Sequence, residues 1–225
     1  MPFRVTIISP LEASAADLER RQQRYGAVAG PDTAVTVQNL AGGPAALNSG
    51  GDVLTSAAAI FQQGATLTRA ETDALLVDCV FDPAVDELAE ATGLPTFGPT
   101  RTTLPLINLV ADSFSIIARS RRQCTLLAEL VTRAGYGHAL RATHALDISY
   151  AEAKQANIFS RVMADRLQTV ATEDHAGAVL FGSTTMALTA AMRAAANHIP
   201  LFMPGMVTLR LMEQLWQDGL WPADA

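Results

Sequence analysis

Residues 74–83, ALLVDCVFDP, decide how the chain is read. ALLVDC (74–79) is an almost unbroken apolar run, the pattern of a parallel strand covered on both faces. Helix punctuation follows at once. Asp82 can cap, Pro83 suits a first turn, Asp86 and Glu87 favour the positive end of the dipole, and Gly93 ends the helix. A buried structural cysteine would sit inside the apolar run. Cys79 sits at its edge, where open α/β sheets bind ligands. A helix N-terminus beside a thiol favours the thiolate, so a lowered pKa is expected at Cys79.

Outward from this stretch, strand-like and helix-like segments alternate. FRVTIIS (3–9) and AVTVQN (34–39) read as strands. ASAADLERRQQRYG (13–26) reads as a helix, and AGGPAALNSGGD (41–52) as a glycine-rich loop. A helix is expected from Val53 to about Ala70. Past Gly93, PTFG is a short strand opened by Pro95. The second half continues with strands SFSIIA (113–118), HALRATHAL (138–146), AVLFGS (178–183) and PLFM (200–203), a helix over 185–197, and a C-terminal helix over 205–218. Such alternation predicts parallel sheets.

A faint repeat runs through the chain. FRVTII from Phe3 leads to Cys79, and FSIIAR from Phe114 leads to Ser183. After each comes a helix, a proline (Pro95, Pro200) and a short strand. The reading is α/β, with two pseudo-symmetric Rossmann-like lobes, 1–105 and 106–204, parallel sheets, and an active site in the cleft between them. The C-terminal segment 205–225 is expected to pack back on the first lobe.

The 225 residues carry 49% hydrophobic and 17% charged residues, enough for a large buried core. Net charge is −6 and no basic run occurs, which argues against nucleic acid as a partner. No apolar run is long enough for a membrane span, and the N-terminus lacks a signal-peptide pattern, so a cytoplasmic protein is expected. Two cysteines make neither a disulfide framework nor a metal site, and the four histidines show no metal-ligand spacing. Cys124, inside RRQCTLLAELV, reads as core packing.

The segments DALLVDCVFDPAVDELAEATGLPTFGPT (73–100), SFSIIARS (113–120), HALDISYAEA (144–153), VLFGSTTMA (179–187) and IPLFMPG (199–205) together resemble the Asp/Glu/hydantoin racemase superfamily, whose relatives include maleate isomerases and arylmalonate decarboxylases. The resemblance implies an isomerase that uses no cofactor and no metal. It acts at a carbon α to a carboxylate or amide carbonyl, on a small carboxylate or cyclic amide, with a homo-oligomer as the assembly. In the racemases one cysteine from each lobe flanks the substrate carbon. Here Cys79 supplies the first, and Ser183 stands where the family pattern has the second. Ser183 is read as the opposite-face counterpart, as a substrate contact, or as a helix cap. The backbone N–H groups of Val80, Phe81, Thr184 and Thr185 are the expected holders of a carboxylate or enolate oxygen. Ser9 and Pro10 replace the family's Asn-Pro at the first strand end, and Arg101 is a candidate partner for a substrate carboxylate. A single thiol also suits a thiol-dependent cis-trans isomerase or decarboxylase of a small dicarboxylate, or a carboxylate-binding protein without turnover.

Overall fold

The computed structural model describes residues 1–153, 155–186 and 188–221. The chain divides into two compact units. One is Met1–Thr102 together with the chain from Gly205 on, and the other is Thr103–Pro204.

In the first unit β1 (Phe3–Ile8), α1 (Ala15–Gly26), β2 (Thr33–Gln38), α2 (Gly50–Gly64), β3 (Ala74–Val77), α3 (Val85–Thr92) and β4 (Thr96–Phe97) follow in order, and α4 (Pro99–Val110) leads out of it. The sheet order is β2-β1-β3-β4, all parallel. All four residues of β3 are fully buried, as its continuous apolar run predicts. The second unit repeats the plan with β5 (Phe114–Ala118), α5 (Arg121–Arg133), β6 (Leu140–Ala145), α6 (Tyr150–Ala153), α7 (Ala156–Thr169), β7 (Ala178–Phe181), α8 (Ala190–Ala195) and β8 (Leu201–Phe202). Its parallel order is β6-β5-β7-β8, the same winding as the first. A π-helical turn, Val170–Asp174, joins α7 towards β7. The final helix, α9 (Pro204–Gln217), belongs to the first unit from Gly205 on. There Trp216 stacks on Phe3 with ring centroids 4.7 Å apart, and the Glu213 carboxylate accepts the Gly30 N–H at 2.7 Å.

Several boundaries differ from the sequence reading. Strands end earlier than their apolar runs: β3 stops at Val77 and β7 at Phe181, because the chain turns before the thiol and the serine. α2 begins at Gly50, inside the glycine-rich segment, because the Ser49 hydroxyl accepts the Asp52 N–H. It ends at Gly64, where a Cβ would lie 2.7 Å from Leu88. The helix expected over 185–197 is only α8, capped by Thr189 at Met192 N–H. Within that expected span Ala187 lies outside the described residues, as do residues 222–225 of the C-terminal segment. Among the described residues no helix is long and apolar enough to cross a membrane.

Candidate active site

Cys79 follows the C-terminal end of β3. The strand end is held by the Asp78 N–H, which donates to Ile8 O at 2.9 Å. The chain then turns tightly, with Cys79 N–H to Val77 O at 2.7 Å and Asp82 N–H to Cys79 O at 3.1 Å. Val80 and Phe81 occupy the turn, both buried. The Val80 carbonyl accepts the Thr100 hydroxyl at 2.7 Å, and the Phe81 N–H donates to the Cys79 sulfur. The thiol is only 2% exposed.

That burial overturns the expectation of a lowered thiol pKa. Loss of water around the sulfur pushes the thiol well above its ordinary range. The Phe81 N–H opposes the shift, the Asp82 and Asp78 carboxylates add to it, and the Arg21 cation opposes it. No helix starts at the turn to counter this. Asp82 and Ala84 both adopt left-handed backbone conformations (φ 49° and 58°), and α3 begins only at Val85 without a side-chain cap.

Asp82 is a cap, but of another helix than expected. Its carboxylate accepts the N–H groups of Thr100 (3.0 Å) and Arg101 (2.6 Å) at the start of α4. Gly98 makes room for it, since a Cβ there would lie 2.5 Å from the Asp82 carboxyl carbon. Burial pushes the Asp82 carboxyl up to about 7, against the pull of those two N–H groups and of the Arg101 charge. The Arg101 guanidinium is half-exposed and pairs with Asp86 at 2.5 Å.

The β1 end turns back on itself. Ser9 is fully buried, and its hydroxyl donates to Leu11 O at 3.0 Å. The Pro10 carbonyl accepts the Ser56 hydroxyl at 2.8 Å. These two residues shape the loop next to the thiol-bearing strand rather than present side-chain donors.

In the second unit, Ser183 follows β7 as Cys79 follows β3. The Gly182 N–H donates to Ile117 O at 2.8 Å, matching the Asp78 bond to Ile8. Ser183 Oγ accepts the Thr185 N–H at 3.2 Å and lies 3.0 Å from the Thr185 hydroxyl; Thr184 is buried. With α8 starting at Ala190, Ser183 caps no helix, and the N–H groups of Thr184 and Thr185 belong to a turn rather than a helix terminus. The structure thus gathers Ser9, Pro10, Cys79, Val80, Phe81 and Arg101 in the first unit, and Ser183, Thr184 and Thr185 in the second.

A groove of about 940 Å³ opens in the second unit along α5 and β6, beside Cys124, Thr143, His144 and Arg166. None of the residues singled out above for catalysis or substrate contact lines it. Cys124 is 5% exposed and burial raises its thiol pKa, as fits a packing residue. His144 Nε2 lies 2.7 Å from the Asp174 carboxylate, which also accepts the Ser115 hydroxyl at 2.5 Å.

Sequence reasoning missed the group beneath the thiol. Asp78 is fully buried; its carboxylate is bound by the Arg21 guanidinium and, at 2.6 Å, by the Tyr25 hydroxyl. The signal was present: an aspartate inside a strand covered on both faces needs a buried partner. Arg21 and Tyr25 stand four apart on α1, on one face of that helix.

The Asp/Glu/Hydantoin racemase family model matches residues 5–212. Hydantoin racemase of Paenarthrobacter aurescens is 30% identical over 137 residues, 59% of this chain and 56% of that relative. The match therefore spans little more than half of the curated relative's length. Allantoin racemase from Klebsiella pneumoniae shares the fold with a TM-score of 0.86 at 23% identity, over 98% of this chain and 90% of that one. The maleate isomerase Iso from Pseudomonas putida S16 shares it with a TM-score of 0.68 at 13% identity, over 96% and 94%. With the family model spanning both units and both strand ends, the chain belongs to the Asp/Glu/hydantoin racemase family.

Proposed function

We propose that this protein is a cofactor-independent racemase acting at a carbon α to an amide or carboxylate carbonyl, with a small cyclic amide of the hydantoin or allantoin type as substrate class. The observation that carries this reading is Cys79 at the end of β3, with the Phe81 N–H on its sulfur. Hydantoin and allantoin racemases among the similar proteins support the substrate class. Cys79 exchanges the α-proton on one face of the substrate carbon. Ser183, at the matching strand end of the second unit, is assigned to the other face.

The raised thiol pKa suits this chemistry in a specific sense. A sulfur held as the neutral thiol is ready to donate a proton. Once deprotonated, it is a stronger base than a pre-stabilised thiolate, which matters for a weakly acidic C–H. Of the four N–H groups expected to receive the carbonyl oxygen, those of Phe81 and Thr185 are engaged by the Cys79 sulfur and the Ser183 hydroxyl, so those of Val80 and Thr184 are proposed to meet the negative charge as it develops.

The test is α-proton exchange in D₂O with single enantiomers of allantoin and 5-substituted hydantoins, followed by NMR and polarimetry. Exchange that disappears in Cys79→Ala is the expected result. Absence of exchange with every cyclic amide and amino-acid substrate would overturn the reading. The serine at 183 favours a second reading, addition of the lone strand-end thiol to the double bond of a small unsaturated diacid. A covalent mass gain on Cys79 with maleate, without α-exchange, would establish it instead.

A further inference from the structure

The buried group beneath the thiol has a counterpart in the second unit that shows what it is not for. Ser14 caps α1 and Ser120 caps α5, each through its hydroxyl. Counting from these caps, Arg21 corresponds to Leu127 and Tyr25 to Val131. All four are buried. Asp78 corresponds to Gly182, since each makes the same strand-end bond, to Ile8 O and Ile117 O. At Gly182 a Cβ would lie 2.7 Å from both Leu127 Cδ1 and Ala118 Cβ. The second unit therefore closes the same corner with a leucine side chain and a glycine, without any charge. The corner can be built from apolar residues, and a buried ion pair there is not a requirement of the fold. Such a pair is also rarely more stabilising than well-packed apolar residues of like volume. Among the described residues the charged version stands under the strand end that carries a thiol and not under the other.

We infer that Arg21, Asp78 and Tyr25 are positioning residues for Cys79: the two α1 side chains hold the Asp78 carboxylate so that its charge, one residue from the thiol, is fixed and balanced. The inference rests on the proposed role of Cys79 as the reacting thiol. Asp78 donates its N–H to Ile8 and receives Arg21 and Tyr25 on opposite carboxylate oxygens, so both backbone and side chain of the residue before Cys79 are tied down. Of the charges that face the sulfur, the Asp82 and Asp78 carboxylates hold the proton on and Arg21 draws it off; Arg24, also on α1, faces the Asp78 carboxylate as well. Tyr25 adds a neutral donor that spreads the carboxylate charge. The device sets how readily the thiol gives up its proton without touching the substrate.

Opposite signs make the inference testable. Iodoacetamide alkylation of Cys79 is followed across pH in the full chain by peptide mass mapping. Asp78→Asn keeps shape and both neighbours while removing the anion; its alkylation midpoint should fall by about half a pH unit or more, roughly a threefold faster reaction below the midpoint. Arg21→Met and Tyr25→Phe leave the carboxylate less balanced, and their midpoints should rise. If Arg21→Met does not fold, Tyr25→Phe, which deletes one hydroxyl, carries that arm. A merely structural corner would loosen in every variant, expose the thiol and shift all midpoints downward together. Shifts of one sign, or none, overturn the inference. The same variants are assayed for α-proton exchange. Opposite shifts in a chain that exchanges no substrate would remove the racemase reading and leave this one. Normal exchange with unmoved midpoints would do the reverse.

Discussion

At the residue scale, the two strand ends pose unequal chemistry. A racemase must remove a proton from one face and deliver one to the other. Cys79 has a titratable thiol, whereas a serine hydroxyl has no anion near neutral pH and needs its own base. Among the described residues Ser183 meets Thr185, through an N–H at 3.2 Å and a hydroxyl at 3.0 Å, and neither is a base. If Ser183 delivered no proton, Cys79 alone would return it to the face it left, giving α-exchange with retention. Ser183→Cys is nearly isosteric and should cost no more than about 1 kcal/mol of stability. It should raise racemisation over exchange by roughly 100-fold, the scale of one positioned acid or base. Polarimetry on single enantiomers, with exchange followed in parallel by NMR, measures the ratio. A natural chain that already racemises as fast as it exchanges would show Ser183 to be a competent partner. The position of Cys79 was legible because an apolar run ending on Cys-x-x-Asp-Pro has few other readings. Its charge state was not, because burial is a property of packing that a linear pattern does not display.

At the element scale, the misread helices share one cause. Pro83 and the acidic residues after it mark a helix start correctly to within a few residues, but Asp82 and Ala84 adopt left-handed conformations. No local signal announces these, since neither is glycine. They swing the Asp82 carboxylate away from α3 and on to the N–H groups of α4. The second-unit helix was overestimated for the complementary reason: GSTT (182–185), a run of small and hydroxylated residues, offers side-chain bonds that compete with helix. Asp82 also gives a pH signature. Its folded pKa is raised from the ordinary 3.8 to about 7. Its ionisation is therefore harder in the folded chain than in the unfolded one. Its contribution is full below about pH 4 and is lost as pH rises towards and through 7. Asp82→Asn keeps an acceptor for one of the α4 N–H groups and cannot ionise. Urea midpoints for the natural chain should therefore fall relative to Asp82→Asn between pH 4 and 8. Parallel curves would mean that the two N–H donors fully offset the burial of the carboxylate.

At the scale of the whole molecule, the repeat was legible because both halves punctuate alike: strand, helix, strand, then a proline before the last short strand. The common sheet order confirms it. What no period could reveal is how the halves differ inside, with an ion pair under Cys79 and a glycine against Leu127 under Ser183. The chain also closes the first unit with its last helix, far in sequence from the strands that it covers. Phe3, at the very start of β1, is 1% exposed; Trp216 stacks on it at 4.7 Å, and Trp221 meets it edge-on at 5.1 Å. Glu213 fastens the same helix to Gly30. The first unit thus draws on a helix far in sequence from its strands. Trp216→Ala removes a half-buried aromatic face from this contact and should destabilise the unit by about 2 kcal/mol. The two tryptophans of the protein both lie in this unit, so the fluorescence left by Trp221 reports on it directly. Urea unfolding followed by that fluorescence should shift to lower denaturant in Trp216→Ala, and a Trp216→Phe variant that restores the stacked ring should recover most of the loss. An unchanged midpoint would mean that Phe3 is covered by β1's other neighbours alone and that the last helix only rests on a unit already complete.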